Sequence, residues 1–174
     1  DAKAGGDIGF VLGGEARDAK FENLVSLGSV ALQPLLVFHS GEPRQLLSEF
    51  KGRRINVGPP GSGTQTLALA LLKANGIVAG DGTTIDQTDL EDPARELRDG
   101  KVDVVFLMSE STATTVTRGL MRDAGVHLFN FAQADGYVRR INTLSKLHLP
   151  RGTLDFGKDI PPQDVSLIGP TVQI

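Results

Sequence analysis

Short apolar runs, each closed by glycine, proline or a polar turn, alternate along this chain with stretches in which apolar residues recur at helical spacing. That pattern predicts strands alternating with helices. A strand is expected over residues 7–12, ended by Gly13-Gly14. Residues 24–27 and 29–38 are rich in Val and Leu and read as an extended pair interrupted by Gly28 and Pro34. The proline places the second of them at an edge or in a crossover rather than in the middle of a sheet. Pro43 opens a short helix over about 44–50, closed at Gly52.

From residue 55 onward the alternation is regular. Ile55-Asn56-Val57 is a strand, 62–74 a helix capped by Asn75-Gly76, 83–86 a polar strand, and 93–98 a helix stopped by Gly100. Residues 102–108 form a second buried strand broken only by Asp103, and 111–123 a helix. Residues 126–129 are a strand, 133–141 a helix and 144–149 a strand ended by Pro150. Gly157 and Pro161-Pro162 keep 153–163 irregular, and 165–174 reads as a last strand broken at Gly169-Pro170. The class that follows is α/β: an open, mostly parallel sheet with helices on both faces.

Within that scheme Gly58-Pro59-Pro60-Gly61-Ser62-Gly63-Thr64 links a buried strand to a buried helix. The free N–H groups of a first helical turn, with the hydroxyls of Ser62 and Thr64, suit an anion. Gly58 and Gly63 have the spacing of a nucleotide-phosphate loop, yet Thr64 stands where that loop needs lysine and Gln65 where it needs a magnesium-binding hydroxyl. The dinucleotide glycine pattern also fails. A smaller anion such as a carboxylate remains, beside the alternative that Ser62 or Thr64 only caps the helix. In an open sheet ligands gather at the carboxyl ends of parallel strands, so the loop after Met108, with Ser109, Ser111 and Thr112, is expected at the same edge. Ser111 or Thr112 could equally cap the helix that follows. Glu110 would oppose a plain anion and favours a ligand carrying an ammonium group.

Composition removes other classes. A net charge of −3 without a basic stripe, with 8 Phe, 1 Tyr and no Trp, argues against a nucleic-acid partner. No Cys means no disulfide, thiolate metal site or cysteine nucleophile. No apolar run approaches the roughly 20 residues of a membrane span. His39, His127 and His148 lie in or beside apolar strands without metal-ligand spacing, so neither a metal nor a cofactor is expected and no catalytic base stands out. Arg139-Arg140 reads as a surface pair and Tyr137 as a packing residue with a satisfied hydroxyl. The chain opens with Asp1 rather than Met, which suggests a processing boundary, and its first residues carry no targeting signal.

The segment from Ile55 to Thr64, followed by an Ala/Leu-rich helix ending at Asn75-Gly76-Ile77, resembles the solute receptors of tripartite ATP-independent periplasmic (TRAP) transporters, in the TAXI branch. Asp7 to Val11, Val102 to Phe106 and Leu144 to Gly152 agree with it. The resemblance implies one lobe of a type 2 periplasmic-binding-protein fold plus crossover strands. Residues 1–39 would be a remnant of the first lobe and the first crossover, 40–164 the second lobe with its Gly-rich anion loop, and 165–174 the return crossover. It implies a non-enzymatic, periplasmic or extracytoplasmic receptor fragment that captures a small anionic solute, such as an amino acid or carboxylate, and hands it to membrane subunits. Ligand contact is carried onto Ser62, Gly63, Thr64, Ser109, Ser111, Gly13 and Gly14. Ser109-Glu110 departs from the small residues such receptors often carry there. Crossover strands without their first-lobe sheet would seek edge partners, and a homodimer is the expected form of that. The alternative is the effector domain of a LysR-type transcriptional regulator, and an enzyme on the same lobes would need an acid/base pair that the sequence does not offer.

Overall fold

The computed structural model describes residues 9–12, 25, 27–108 and 115–174. Its strands are β1 (Val11–Leu12), β2 (Ser29–Leu32), β3 (Leu35–Ser40), β4 (Arg54–Asn56), β5 (Thr84–Asp86), β6 (Val104–Met108), β7 (Val126–Leu128), β8 (Leu144–Leu149) and β9 (Val165–Gln173). The helices are α1 (Gly63–Ala74), α2 (Pro93–Arg98), α3 (Thr115–Arg122) and α4 (Ala134–Arg140), with a 3-10 turn at Leu47–Phe50. Thus the α/β class holds.

The sheet is mixed. β5, β4 and β6 pair in parallel, and β3 runs antiparallel to β6 on one side and to β7 on the other. β9 meets β3 at Leu35 and carries β8, β1 and β2 in antiparallel ladders. The mostly parallel sheet expected from strand–helix alternation is therefore confined to its parallel strands, with β3 inserted among them in reverse. A buried strand has the same apolar signature in either direction, so hydrophobic pattern carries no sign of this inversion. Because β7 opposes β3 as β6 does, the carboxyl ends of β4, β5, β6 and β7 all reach one edge.

Two further expectations change. Residues 29–38 are not one edge strand: Pro34 separates exposed β2 from β3, whose first five residues are buried in the middle of the sheet. Proline here ends a strand instead of disqualifying its neighbour. β9 in turn runs through Gly169-Pro170 without a break. At Gly169 it passes so close to the Gln33 backbone that an added Cβ would lie 2.1 Å from the Gln33 carbonyl oxygen, and the Gln33 N–H donates to the Pro170 carbonyl at 3.0 Å. Glycine is required by close approach, and proline is tolerated because its carbonyl, not its missing N–H, makes the bond.

Side chains of β3 alternate between two apolar layers. Leu35 and Val37 pack with Leu71 and Leu72 of α1, Phe106 and Phe129. Leu36 and Phe38 pack with Leu97 of α2 and Leu120 of α3. Helices therefore cover both faces, as expected. At its start α1 is capped by Ser62, whose side chain accepts from the Gln65 N–H. At its end the Ile77 N–H bonds to the Leu72 carbonyl and the Gly76 N–H to the Lys73 carbonyl, with Gly76 at φ +70°. This paired-bond arrangement needs a left-handed residue there, which is why the Asn-Gly signal was readable.

Candidate functional site

The carboxyl edge is built on Asn56, the one buried polar residue of β4, which is 1% exposed. Its Oδ1 accepts from the Gly58 N–H at 3.0 Å, turning the chain into the Gly-rich loop. Its Nδ2 donates to the Thr88 carbonyl at 3.0 Å and to Asp86 Oδ2 at 3.2 Å. Thr88 Oγ1 donates to the same carboxylate oxygen at 2.6 Å. These donors, the Thr88 hydroxyl first, hold the Asp86 carboxyl below its ordinary pKa against a smaller opposing effect of burial. The edge therefore keeps a fixed negative charge beside the loop.

Inside the loop most donors are satisfied internally. The Ser62 hydroxyl donates to the Pro59 carbonyl at 2.7 Å and accepts from the Gln65 N–H at 3.1 Å. Its side chain is thus committed to the cap. The Gly61 N–H donates to Gln65 Oε1 at 2.8 Å, and Gln65 Nε2 reaches Gln87 Oε1 at 2.8 Å. This glutamine ties the loop to the segment after β5. Gly58 and Gly61, at φ +83° and +76°, give the loop its curl.

What remains are the N–H groups of Gly63 and Thr64, which find no acceptor among the described residues, and the half-buried Thr64 side chain. Two adjacent amides at the start of a 12-residue helix form a donor pair with a favourable helix dipole behind it. The described cavities lie elsewhere: none is lined by Ser62, Gly63 or Thr64.

The residues expected to contact a ligand divide accordingly. Ser62, Gly63 and Thr64 stand together at the tip of α1, with Ser62 as cap. Ser109 and Ser111, with Glu110 and Thr112, lie outside the described residues, as do Gly13 and Gly14. Sequence reasoning missed Asn56, Asp86, Thr88, Gln65 and Gln87. The available signal was Asn56 itself, since a polar side chain in an apolar strand must be hydrogen-bonded at its end of the sheet. Neither His39 and His148 nor Tyr137 hydrogen-bonds to these residues. His39 is 1% exposed, while His148 is exposed and 3.7 Å from Asp164. The Tyr137 hydroxyl donates to Asn75 Oδ1 at 3.0 Å.

Among the described residues no helix is long and apolar enough to cross a membrane. No cluster of three or more His, Asp or Glu side chains there could hold a metal ion.

Residues 13–162 match the model of the NMT1-like family. No curated protein matches the chain. Similar solved structures include an ancestral arginine-binding protein bound to arginine, with 19% identity over 66% of this chain and 47% of that one, at a TM-score of 0.45. Tv2483 bound to L-arginine shares 13% identity over 94% and 49%, at 0.49. The amino acid ABC transporter substrate-binding protein AbpA from Streptococcus pneumoniae, bound to L-arginine, shares 12% over 92% and 52%, at 0.45. The chain spans about half the length of these structures.

Proposed function

This chain belongs to the NMT1-like family, and on that premise we propose that it is one lobe, with crossover strands, of an extracytoplasmic solute-binding receptor whose ligand is a small acid held at the tip of α1. The observation that carries the reading is the pair of N–H groups on Gly63 and Thr64, without an acceptor among the described residues, at the carboxyl edge of the parallel strands. Asp86 sharpens it. An ionised carboxylate beside that tip penalises a plain anion and suits a ligand with an ammonium group, so an amino acid is the preferred solute. Ser109, Ser111, Gly13 and Gly14 complete the proposed contact set, the last two from the remnant of the first lobe. The partners are the membrane subunits of a transporter, of the TRAP type by the resemblance of the Gly-rich segment. The crossover strands would act as the hinge that closes two lobes over the solute.

The test uses an N–H deletion that the local backbone accepts. Ser62 has φ −81° and ψ 152°, the extended conformation proline requires of its predecessor, and Gly63 is the first helical residue, where proline is well tolerated. Amino acids, the matching amines and plain dicarboxylates are titrated against the chain while backbone amide signals are followed by NMR. An amino acid should shift Gly63 and Thr64, and Gly63→Pro should weaken binding roughly tenfold or more, the scale of one hydrogen bond to a charged group. Binding should also be far weaker than to a two-lobed receptor, since half the clamp is present. Saturable binding that leaves these amides unmoved, or that survives Gly63→Pro, removes the proposal.

A further inference from the structure

A concavity opens near the other end of β3, away from the α1 tip. It has a volume of about 340 Å³ and is bordered by His39, Arg44, Met121, His127, Leu128 and Pro162, among others. The register fixes its place. Leu35 pairs with Met108 at the carboxyl edge, whereas His39 pairs with Val104 at the start of β6. Four residues of strand, roughly 13 Å at the usual rise, separate the two levels.

His39 and His127 are directly paired across β3 and β7, so both imidazoles rise from the same face, with ring centroids 5.5 Å apart. His39 Nδ1 lies 3.3 Å from the Ser40 carbonyl oxygen, which makes it the protonated nitrogen of the neutral ring. Nε2 is left as a lone-pair acceptor with no hydrogen-bond partner among the described residues, on a side chain that is otherwise buried. Among the described residues no side-chain nitrogen or oxygen sealed from solvent lacks a partner, so this nitrogen opens to the concavity that His39 borders, where a donor can reach it.

The charges around it do not cancel. Arg44 is half-buried and makes no ion pair among the described residues. Asp123, the carboxylate bordering the cavity, is already held by Arg98 at 3.1 Å and by the Gly125 N–H at 3.1 Å. Glu49, the acidic residue on the turn after Arg44, accepts from the Gln45 and Leu46 N–H groups at 2.8 and 2.7 Å, and the Arg44 charge is the smallest of the influences acting on it. One guanidinium therefore faces a concavity whose remaining walls are largely apolar, including Val126, Leu128, Ile160 and Val165. The adjacent guanidinium disfavours a metal cation there, and two imidazoles without a third ligand among the described residues do not make a metal site.

We propose that this cavity is a second ligand site, distinct from the α1 tip, for a small monocarboxylic acid with an apolar body and a hydroxyl or N–H donor. The carboxylate pairs with Arg44, the donor hydrogen-bonds to His39 Nε2, and the apolar body lies against Met121, Leu128 and the Ile160-to-Pro162 segment. This division of a few fixed polar groups among apolar walls is the usual chemistry of small-molecule pockets.

The three hydroxybenzoate isomers serve as probes because they vary the separation of carboxylate and donor. Benzoate lacks the donor and phenol lacks the carboxylate. Titrated against the intact chain with amide signals followed by NMR, one hydroxybenzoate isomer should bind saturably and shift His127, Leu128 and Gln163 while leaving Gly63 and Thr64 unmoved. Benzoate and phenol should each bind at least fivefold more weakly, as should the hydroxy acid to Arg44→Met, which keeps the stem of the side chain. His39→Phe should cost the hydroxy acid its advantage over benzoate; should that variant not fold, Arg44→Met and the benzoate comparison decide. No saturable binding at millimolar probe, equal affinity in Arg44→Met, or shifts confined to the Gly63 region would each overturn the proposal.

Discussion

The helix-covered lobe and the ribbon of β1, β2 and the end of β9 are made of similar residues and use them in opposite ways. In the lobe, β3 buries Leu35, Leu36, Val37 and Phe38 completely between helical layers. One proline upstream, every residue of β2 is exposed, and Phe10, Val25, Leu27, Val30 and Leu32 present apolar surface along the ribbon formed with β1 and the end of β9. The difference lies in what covers them. A sheet strand buries its side chains only where helices or a second layer are supplied, and the described residues supply the ribbon with neither. Stability should therefore reside in the lobe, and the ribbon should act as a surface for another body.

The largest test of that contrast is Phe106→Ala, which removes a fully buried ring from the centre of the lobe. It should lower unfolding free energy by about 3–5 kcal/mol in urea titration. A loss below about 1 kcal/mol would mean the lobe is not the stable unit. Next comes Gly169→Ala at the junction, where the new methyl meets the Gln33 backbone at 2.1 Å. Backbone cannot yield as a side-chain tip can, so about 2–3 kcal/mol should be lost. A neutral result would place β9 and the Gln33 backbone further apart than described.

The smaller effect belongs to the ribbon. Val30→Thr, at a position 54% exposed, should change stability by less than about 0.5 kcal/mol. A loss above 1 kcal/mol would show that something covers the ribbon in solution. Pairing between two copies is the proposed form of such cover. It predicts a concentration-dependent dimer in sedimentation that Leu32→Lys dissolves. A strictly monomeric chain at high concentration ends that part of the proposal.

The same contrast explains what the sequence disclosed. Capped helices were legible because their ends are local chemistry: Ser62, Asn75-Gly76 and Gly100 mark α1 and α2 within a residue or so. Strand membership was legible too, since Ile55 and Val104 to Phe106 are buried on both faces. Rank and direction in the sheet were not. Leu35 to Phe38 look alike whether central or crossover, and only long-range pairing with β6 and β7 decides between them. Of the site, the α1 tip was local and readable, whereas the link from Asn56 to Asp86 and Thr88 joins residues about thirty positions apart. The His39–His127 pair was hidden for the same reason: two histidines become neighbours only through a register that no short pattern encodes.

The smallest expected effect is a pH dependence carried by one buried imidazole. Burial, the dominant cause, lowers the His39 pKa below the ordinary value of about 6.5; nearby His127 and Arg44 add to this, while the Ser40 carbonyl opposes it. As pH falls through that ordinary value the unfolded chain takes up a proton at His39 that the folded chain refuses. Unfolded protein then binds more protons, so stability declines with falling pH until the lower folded pKa is reached, and levels off below it. The depressed carboxylates Asp86 and Asp103 act in a more acidic window, as pH drops below the usual carboxylate range, so the two contributions separate. Urea midpoints measured from pH 8 to pH 5 should fall for the native chain, and His39→Phe should flatten this segment while leaving the acid limb intact. If His39→Phe retains the native slope, the imidazole bordering the cavity is solvated, and the lobe is less closed at that end than its packing indicates.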